Sequence, residues 1–146
     1  LAEAGLYLGK APFPLLEVVP TSGTVFNTPE SFNLLGFYEK ITDRWMKASV
    51  EWHAEGLVLN HIPWIRQLGW REIMTAKAIH GDWDTKHEDL AVLPVNTTGL
   101  KGTYIECGIG LENLFHFLRI EGIWRTDQPI EQKESWGIRV GFSAEI

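Results

Sequence analysis

Cysteine is nearly absent from this chain, since Cys107 is the only one among 146 residues. A single thiol forms no internal disulfide, and it has no cysteine neighbours with which to build a structural zinc site. Catalysis at sulfur is therefore not expected, and the sequence indicates no cofactor.

Long apolar runs and excess positive charge are also missing. No stretch approaches the roughly 18 to 20 consecutive apolar residues of a membrane-spanning helix, so a helical membrane protein is excluded. The 19 acidic residues outnumber 13 Lys and Arg and leave a net charge of -6, which argues against nucleic acid as a partner. The chain begins at Leu1 with neither Met nor a secretion signal, as expected of a mature or truncated N-terminus.

Tryptophan, by contrast, is abundant, with seven residues. Trp concentrates where one end of a side chain is in apolar surroundings and the other is wet, as at a membrane interface. Trp83 falls in a predicted outer loop and is a candidate contact for a partner. Most of the others fall near predicted strand ends, and four are assigned to an interfacial girdle: Trp52, Trp70, Trp124 and Trp136.

Alternation of apolar and polar residues predicts β-strands. In residues 44–56 one parity carries Met46 and Val50 while the other carries Lys47 and Glu51, which is the period of two of a strand with unlike faces. The pattern recurs three times, and two further strands show a mixed or short version of it. The six predicted strands cover residues 2–9, 44–56, 70–80, 103–113, 117–125 and 136–146.

The two faces of these strands predict two environments. A soluble sheet normally covers its apolar face with a second layer, and no amphipathic helix long enough to supply that layer is visible. The apolar parity is therefore assigned to lipid, with Val50, Ile105, Ile109, Leu118, Ile120, Val140 and Phe142. The charged parity is assigned to a barrel lumen where opposite charges pair, with Lys47, Glu51, His53, Glu106, Glu112, Arg119, Glu121, Arg125 and Arg139. Gly108, Gly110, Gly137 and Gly141 share that parity and are expected to make room for long neighbours.

The predicted connections are unequal in length. Residues 10–43, 81–102 and 126–135 form long loops, whereas the link at 113–114 is short and residues 57–69 form a compact connection in which Pro63 opens one helical turn. Within the first loop, residues 12–16 are expected to fold back over or into the barrel. Long loops on one side and short turns on the other are typical of outer-membrane barrels. The fold predicted for residues 1–146 is all-β: an antiparallel transmembrane β-barrel, present as a C-terminal portion of about six strands whose missing partners precede Leu1.

Several separated motifs resemble a family of Bacteroidota outer-membrane proteins. They lie at residues 9–17, 32–39, 51–53, 60–63, 68–72, 106–113 and 136–139, and include Glu51-Trp52-His53 and Trp136-Gly137-Ile138-Arg139. Longer members of that family place a carboxypeptidase-regulatory-like domain in the periplasm ahead of the barrel. The resemblance implies a location in the bacterial outer membrane, with lipid, the remaining barrel strands and other outer-membrane complex subunits as partners. It supplies no catalytic residues, and the chain departs from the usual aromatic barrel ending by finishing at Ile146.

The function expected from these observations is that of a non-enzymatic outer-membrane β-barrel protein, acting as a pore, an anchor or a complex subunit. One alternative is a soluble β-barrel or sandwich that binds an apolar ligand, in which the apolar parity would point inward. A second alternative is an outer-membrane barrel hydrolase with a rim site formed by His80, Asp82, Asp84 and His87.

Overall fold

A computed structural model of the protein describes most of the chain. The described residues are 2–6, 17–22, 24–27, 30–54, 56–83, 97–126 and 135–142. Within those residues, no helix is long and apolar enough to cross a membrane.

The described residues build one large antiparallel sheet, and the predicted all-β class is confirmed. Its strands, numbered along the chain together with those of a second sheet described below, are β1 (Ala2–Leu6), β4 (Arg44–His53), β5 (Arg71–Asp82), β7 (Gly102–Leu114), β8 (Leu118–Arg125) and β9 (Trp136–Phe142). They lie in the order β1-β4-β5-β7-β8-β9, and each strand runs antiparallel to its neighbours. All six predicted strands are therefore present, although the predicted residues 7–9 and 143–146 lie outside the described part of the chain.

The turn between β7 and β8 lies two residues later than predicted. A register shift between Leu111 and Leu114 keeps Leu114 paired with Leu118, so β7 continues through the expected link at 113–114. The chain instead reverses at Phe115 and His116, whose φ angles of 52° and 73° belong to the left-handed region. Nothing in the alternation of residues signals a strand bulge of this kind.

The pairing register places the connections at two opposite ends of the sheet. Leu6, Arg44 and Asp82 are aligned with one another, so the chain leaves β1 and β5 at the same end. We call this the long-loop end, because the connections 7–43, 83–101 and 126–135 all start there. The opposite, short-turn end carries residues 115–117 and the connection 54–70, in which α1 (Pro63–Arg66) forms the predicted helical turn.

A second, small sheet lies within segments predicted as loops. It consists of β2 (Glu17–Val18), β3 (Lys40–Thr42) and β6 (Thr98–Gly99), in the order β2-β3-β6. β3 pairs antiparallel with β2 and parallel with β6. Strands of two or three residues are too short to show an alternating pattern, which is why the sequence did not predict them.

The apolar core lies on one face of the large sheet, towards the long-loop end. Its buried residues are Val19, Phe32, Leu35, Ile79, Leu100 and Tyr104, with Trp45 packed against them. The rings of Phe32 and Tyr104 meet edge to face at 5.3 Å. The core thus joins the sheet to the chain before β4.

Trp83, the residue named as a candidate contact for a partner, is buried. Only 5% of its surface is accessible, and its side chain packs on Gly99 so closely that a Cβ there would lie 2.7 Å from the Cβ of Trp83. The residue therefore contributes to packing at the long-loop end.

Candidate functional site

The large sheet has one buried face and one exposed face, and the charged residues predicted to line a lumen have the parity of the buried one. We call it the inner face. Glu106 and Glu121 are 2% and 0% accessible. Of the other predicted lumen residues, Glu112, Arg119 and Arg125 are buried, Lys47 and Arg139 are half-buried, and Glu51 and His53 remain exposed. The sequence reasoning missed buried Lys77, because Ile73 and Ile79 share its parity on β5 and obscure the pattern.

Ion pairs on the inner face show that the sheet is curved. Arg119 on β8 donates two hydrogen bonds to the carboxylate of Glu51 on β4, at 3.1 and 3.0 Å, and a third to Glu121 at 2.9 Å. Three strand steps separate β4 from β8, a span of about 14 Å in a flat sheet at about 4.8 Å per step. These two side chains meet because the sheet curls with its inner face concave.

Shorter links cross two strand steps. His53 on β4 lies with Nδ1 2.8 Å from Glu112 on β7 and Nε2 3.0 Å from Glu51. The Thr75 hydroxyl on β5 donates to Glu121 on β8, passing over Gly108 of the intervening strand. The inner face is therefore a connected polar network.

Residues 30–39, which we call the inner loop, lie on this network and are held there by Glu106. Its two carboxylate oxygens accept the backbone N–H groups of Asn33 and Leu34, both at 2.8 Å, and Oε1 also accepts the Tyr104 hydroxyl at 2.6 Å. Charge-assisted hydrogen bonds to backbone amides are among the stronger ones, so Glu106 anchors the loop.

Cations of the sheet bind carbonyls of the same loop. Lys77 donates to the Ser31 carbonyl at 2.8 Å, and Arg139 donates to the Asn33 carbonyl. Arg125 donates to the Leu34 carbonyl at 3.0 Å and to the Glu39 carboxylate at 2.9 Å. Sheet residues of both signs therefore fix the loop, mainly through its backbone.

Residues 25–27, just before the inner loop, pair with the edge of β9 that faces away from β8. Val140 donates its N–H to the Val25 carbonyl and accepts from the N–H of Asn27, both at 2.8 Å. This forms a parallel bridge between Phe26 and Val140. Part of the edge of β9 is thus paired with the chain's own loop.

The opposite, outer face exposes apolar side chains. Of the predicted lipid-facing residues, Val50, Ile109, Ile120 and Phe142 are exposed, whereas Ile105, Leu118 and Val140 are half-buried. Val50 is 65% and Ile109 49% accessible. Met46, Met74 and Ile138 extend the exposed apolar surface. Large apolar side chains therefore cover several adjacent strands of this face.

Tryptophans border the outer face at both ends of its strands. Trp52, half exposed, precedes the last residue of β4, and half-buried Trp70 precedes β5, so both lie at the short-turn end. Trp124 of β8 and Trp136 of β9 are paired with each other at the long-loop end of the sheet. Both are about half exposed.

The residues of the hydrolase alternative are only partly described. The side chains of His80 and Asp82 lie on exposed positions of β5. His80 Nδ1 lies 2.9 Å from the Thr103 hydroxyl, and Asp82 accepts the Trp83 N–H at 3.1 Å. Asp84 and His87 lie outside the described residues. Among the residues that are described, no group of three His, Cys, Asp or Glu side chains is placed to hold a metal ion.

Comparison with known proteins gives one match. A family model described as the C-terminal domain of a family of unknown function (DUF5686) matches residues 17–92, slightly more than half of the chain. No curated protein and no solved structure matches.

Proposed function

The chain belongs to the family of unknown function DUF5686, matched through its C-terminal domain, and we propose, from the placement of charged and apolar residues on its sheet, that it forms part of the wall of an outer-membrane β-barrel. The role is non-enzymatic: a wall with an occluded lumen that anchors or assembles with other parts of an outer-membrane complex. The bacterial outer membrane, and Bacteroidota as the source, enter through the motif resemblance and not through the family match.

The observation that carries the proposal is that apolar side chains are exposed and charged side chains are buried, the reverse of the usual arrangement in a soluble protein. Burying a large apolar side chain stabilises a protein in water by about 1.5–3 kcal/mol, so a soluble protein seldom leaves a whole face of them exposed. Here Val50, Ile109 and Phe142 are exposed while Glu106 and Glu121 are buried. Lipid against the outer face and paired charges inside account for both facts.

The proposal also requires further strands. Among the residues that the structure describes, β1 and β9 are the two edge strands of the sheet and do not pair with each other, and in lipid an open edge leaves backbone groups without hydrogen-bond partners. The smallest outer-membrane barrels have about eight strands. We place the missing strands N-terminal to this segment, next to β1. These strands and membrane lipid are the proposed partners of the chain.

The soluble alternative receives less support. In a soluble ligand-binding barrel the apolar parity would be enclosed, whereas Met46, Val50 and Trp52 are each at least half exposed. The side of the sheet that is enclosed carries Glu106, Glu112 and Arg125.

The test is lipid accessibility at two neighbouring positions of β4. In a Cys107→Ser background, Val50→Cys places a thiol on the outer face and Ser49→Cys places one on the inner face of the same strand. When the protein carries the proposed N-terminal strands and is assembled in membranes, an apolar photoreactive reagent is expected to label position 50 and not position 49. Equal labelling of both positions, or a protein that stays in solution without detergent, would refute the proposal.

A further inference from the structure

A cavity of about 450 Å³ opens on the outer face at the short-turn end. It is lined by Trp52 of β4, Met74 of β5 and Ile109 of β7. Leu57 and Val58, from the connection after β4, complete the lining, and we call them its cover. The lining is almost wholly apolar, with Glu72 as its charged member. The volume lies within the roughly 300–1,000 Å³ usual for small-molecule sites.

The cover of this groove is held in place by hydrogen bonds. Glu72 accepts the backbone N–H groups of Val58, at 2.9 Å, and of Leu59. The Ala54 N–H donates to the Glu72 carbonyl at 2.9 Å, which fixes the start of the same connection. The groove therefore exists before any ligand arrives, and its occupant does not have to order the cover.

Charge and exposure next to the groove indicate what the occupant is. Residues 56–71, which lie between Glu55 and Glu72 in the sequence, include His61, Arg66 and Arg71 and no acidic residue, although the whole chain carries a net charge of -6. Trp64 in α1 is 86% exposed, and Arg66 ends the same helix. Exposed Trp beside Arg is typical of a segment at the level of lipid headgroups, where the anionic phosphate lies.

We propose that this groove binds one acyl chain of a glycerophospholipid, whose phosphate lies against Arg66. The lining residues Trp52, Met74 and Ile109 are also exposed on the outer face, so at the proposed membrane location a lipid reaches the groove from the bilayer without crossing water. This inference rests on the proposed membrane location. It adds a specific lipid site to a surface that otherwise contacts lipid non-specifically.

Photocrosslinking of lipid tests the site. The purified protein is reconstituted in vesicles of phosphatidylethanolamine and phosphatidylglycerol that include a phospholipid with a diazirine at the end of an acyl chain. Crosslinks are then located by mass spectrometry. Crosslinks are expected to be concentrated at Trp52, Leu57 and Met74, several-fold above those at Met46 and Val50.

Two substitutions of the same kind separate the groove from the general lipid surface. Ala54→Trp fills the groove, and displacing about two methylene groups of the lipid is expected to lower crosslinking there roughly tenfold. Ala48→Trp makes the same change on the exposed face of β4 outside the groove and is expected to leave it unchanged. Arg66→Gln is expected to lower groove crosslinking, whereas Arg44→Gln at the opposite end of β4 is not.

The outcomes distinguish this inference from the proposed function. Labelling at position 50 without enrichment in the groove overturns the lipid site and leaves the barrel intact. An unchanged groove signal in Ala54→Trp, with position 50 still labelled to show a folded protein, also overturns it. Absence of lipid contact at both places overturns the proposed function itself.

Discussion

Gly108 shows how a single position of β7 allows the polar network to cross strands. A Cβ at this residue would overlap the Thr75 hydroxyl and lie 2.6 Å from Glu121 Oε1. The glycine therefore leaves the space through which Thr75 and Glu121 bond across the strand. The expectation that glycines of this parity make room for long neighbours is confirmed here, whereas at Gly110 a Cβ would first meet the backbone carbonyl oxygen of Ile120.

Substitution at this position is expected to be costly. Gly108→Ala forces apart buried groups that already bond to each other and is expected to lower the free energy of unfolding by about 1–3 kcal/mol. Gly122→Ala on β8 is the matched control, because its methyl group would meet the outer ring atoms of Trp124 at 3.2 Å. Urea titration in detergent micelles measures both. Equal losses in the two variants would show that the space at Gly108 is not required.

At the scale of elements, the strands follow from the sequence and the inner loop does not. Alternation of residues predicts β4 and β8 because each has one apolar and one charged parity. The loop, by contrast, binds largely through backbone groups of Asn33 and Leu34, which every residue type possesses. No residue pattern marks such contacts, and the predicted return of residues 12–16 to the barrel lies outside the described residues.

The partners of the inner-face charges could not be predicted from the sequence either. Opposite charges on one parity predict ion pairs, but not that Arg119 reaches Glu51 across three strand steps. That contact depends on how strongly the sheet curves, which is set by twist and by the loop inside it. The sequence therefore predicts which residues face inward better than it predicts their partners.

The inner loop is expected to loosen when its anchor is removed. Glu106→Gln leaves one amide oxygen to serve the N–H groups of Asn33 and Leu34, so a buried donor loses its partner at a cost of about 1–3 kcal/mol. Amide hydrogen exchange in residues 32–35 should then accelerate roughly tenfold or more, as the loop opens locally. Glu3→Gln, which removes an exposed partner of Lys47, should leave these amides unchanged. Protection of residues 32–35 in both variants would rule out Glu106 as the anchor.

For the whole molecule, the loop inside the concave sheet predicts a closed lumen. The protein in a planar bilayer is therefore expected to show little ion conductance. Replacing residues 31–35 by five Gly and Ser residues removes the packing of Phe32 and Leu35 and is expected to produce stepwise conductance. The same replacement at residues 58–62, at the short-turn end, is the control. Equal conductance before and after the inner replacement would show that the loop does not close the barrel.

The pairing of Val140 with Val25 and Asn27 has a consequence for the order of assembly. One backbone N–H donates to one carbonyl, and this N–H of β9 is already engaged by the loop. In the proposed barrel, a further strand that pairs with this edge of β9 requires the same groups. Closure of the barrel and docking of residues 25–27 on this edge are therefore mutually exclusive. Residues 25–27 therefore have to leave this edge before a further strand of the proposed barrel pairs with it.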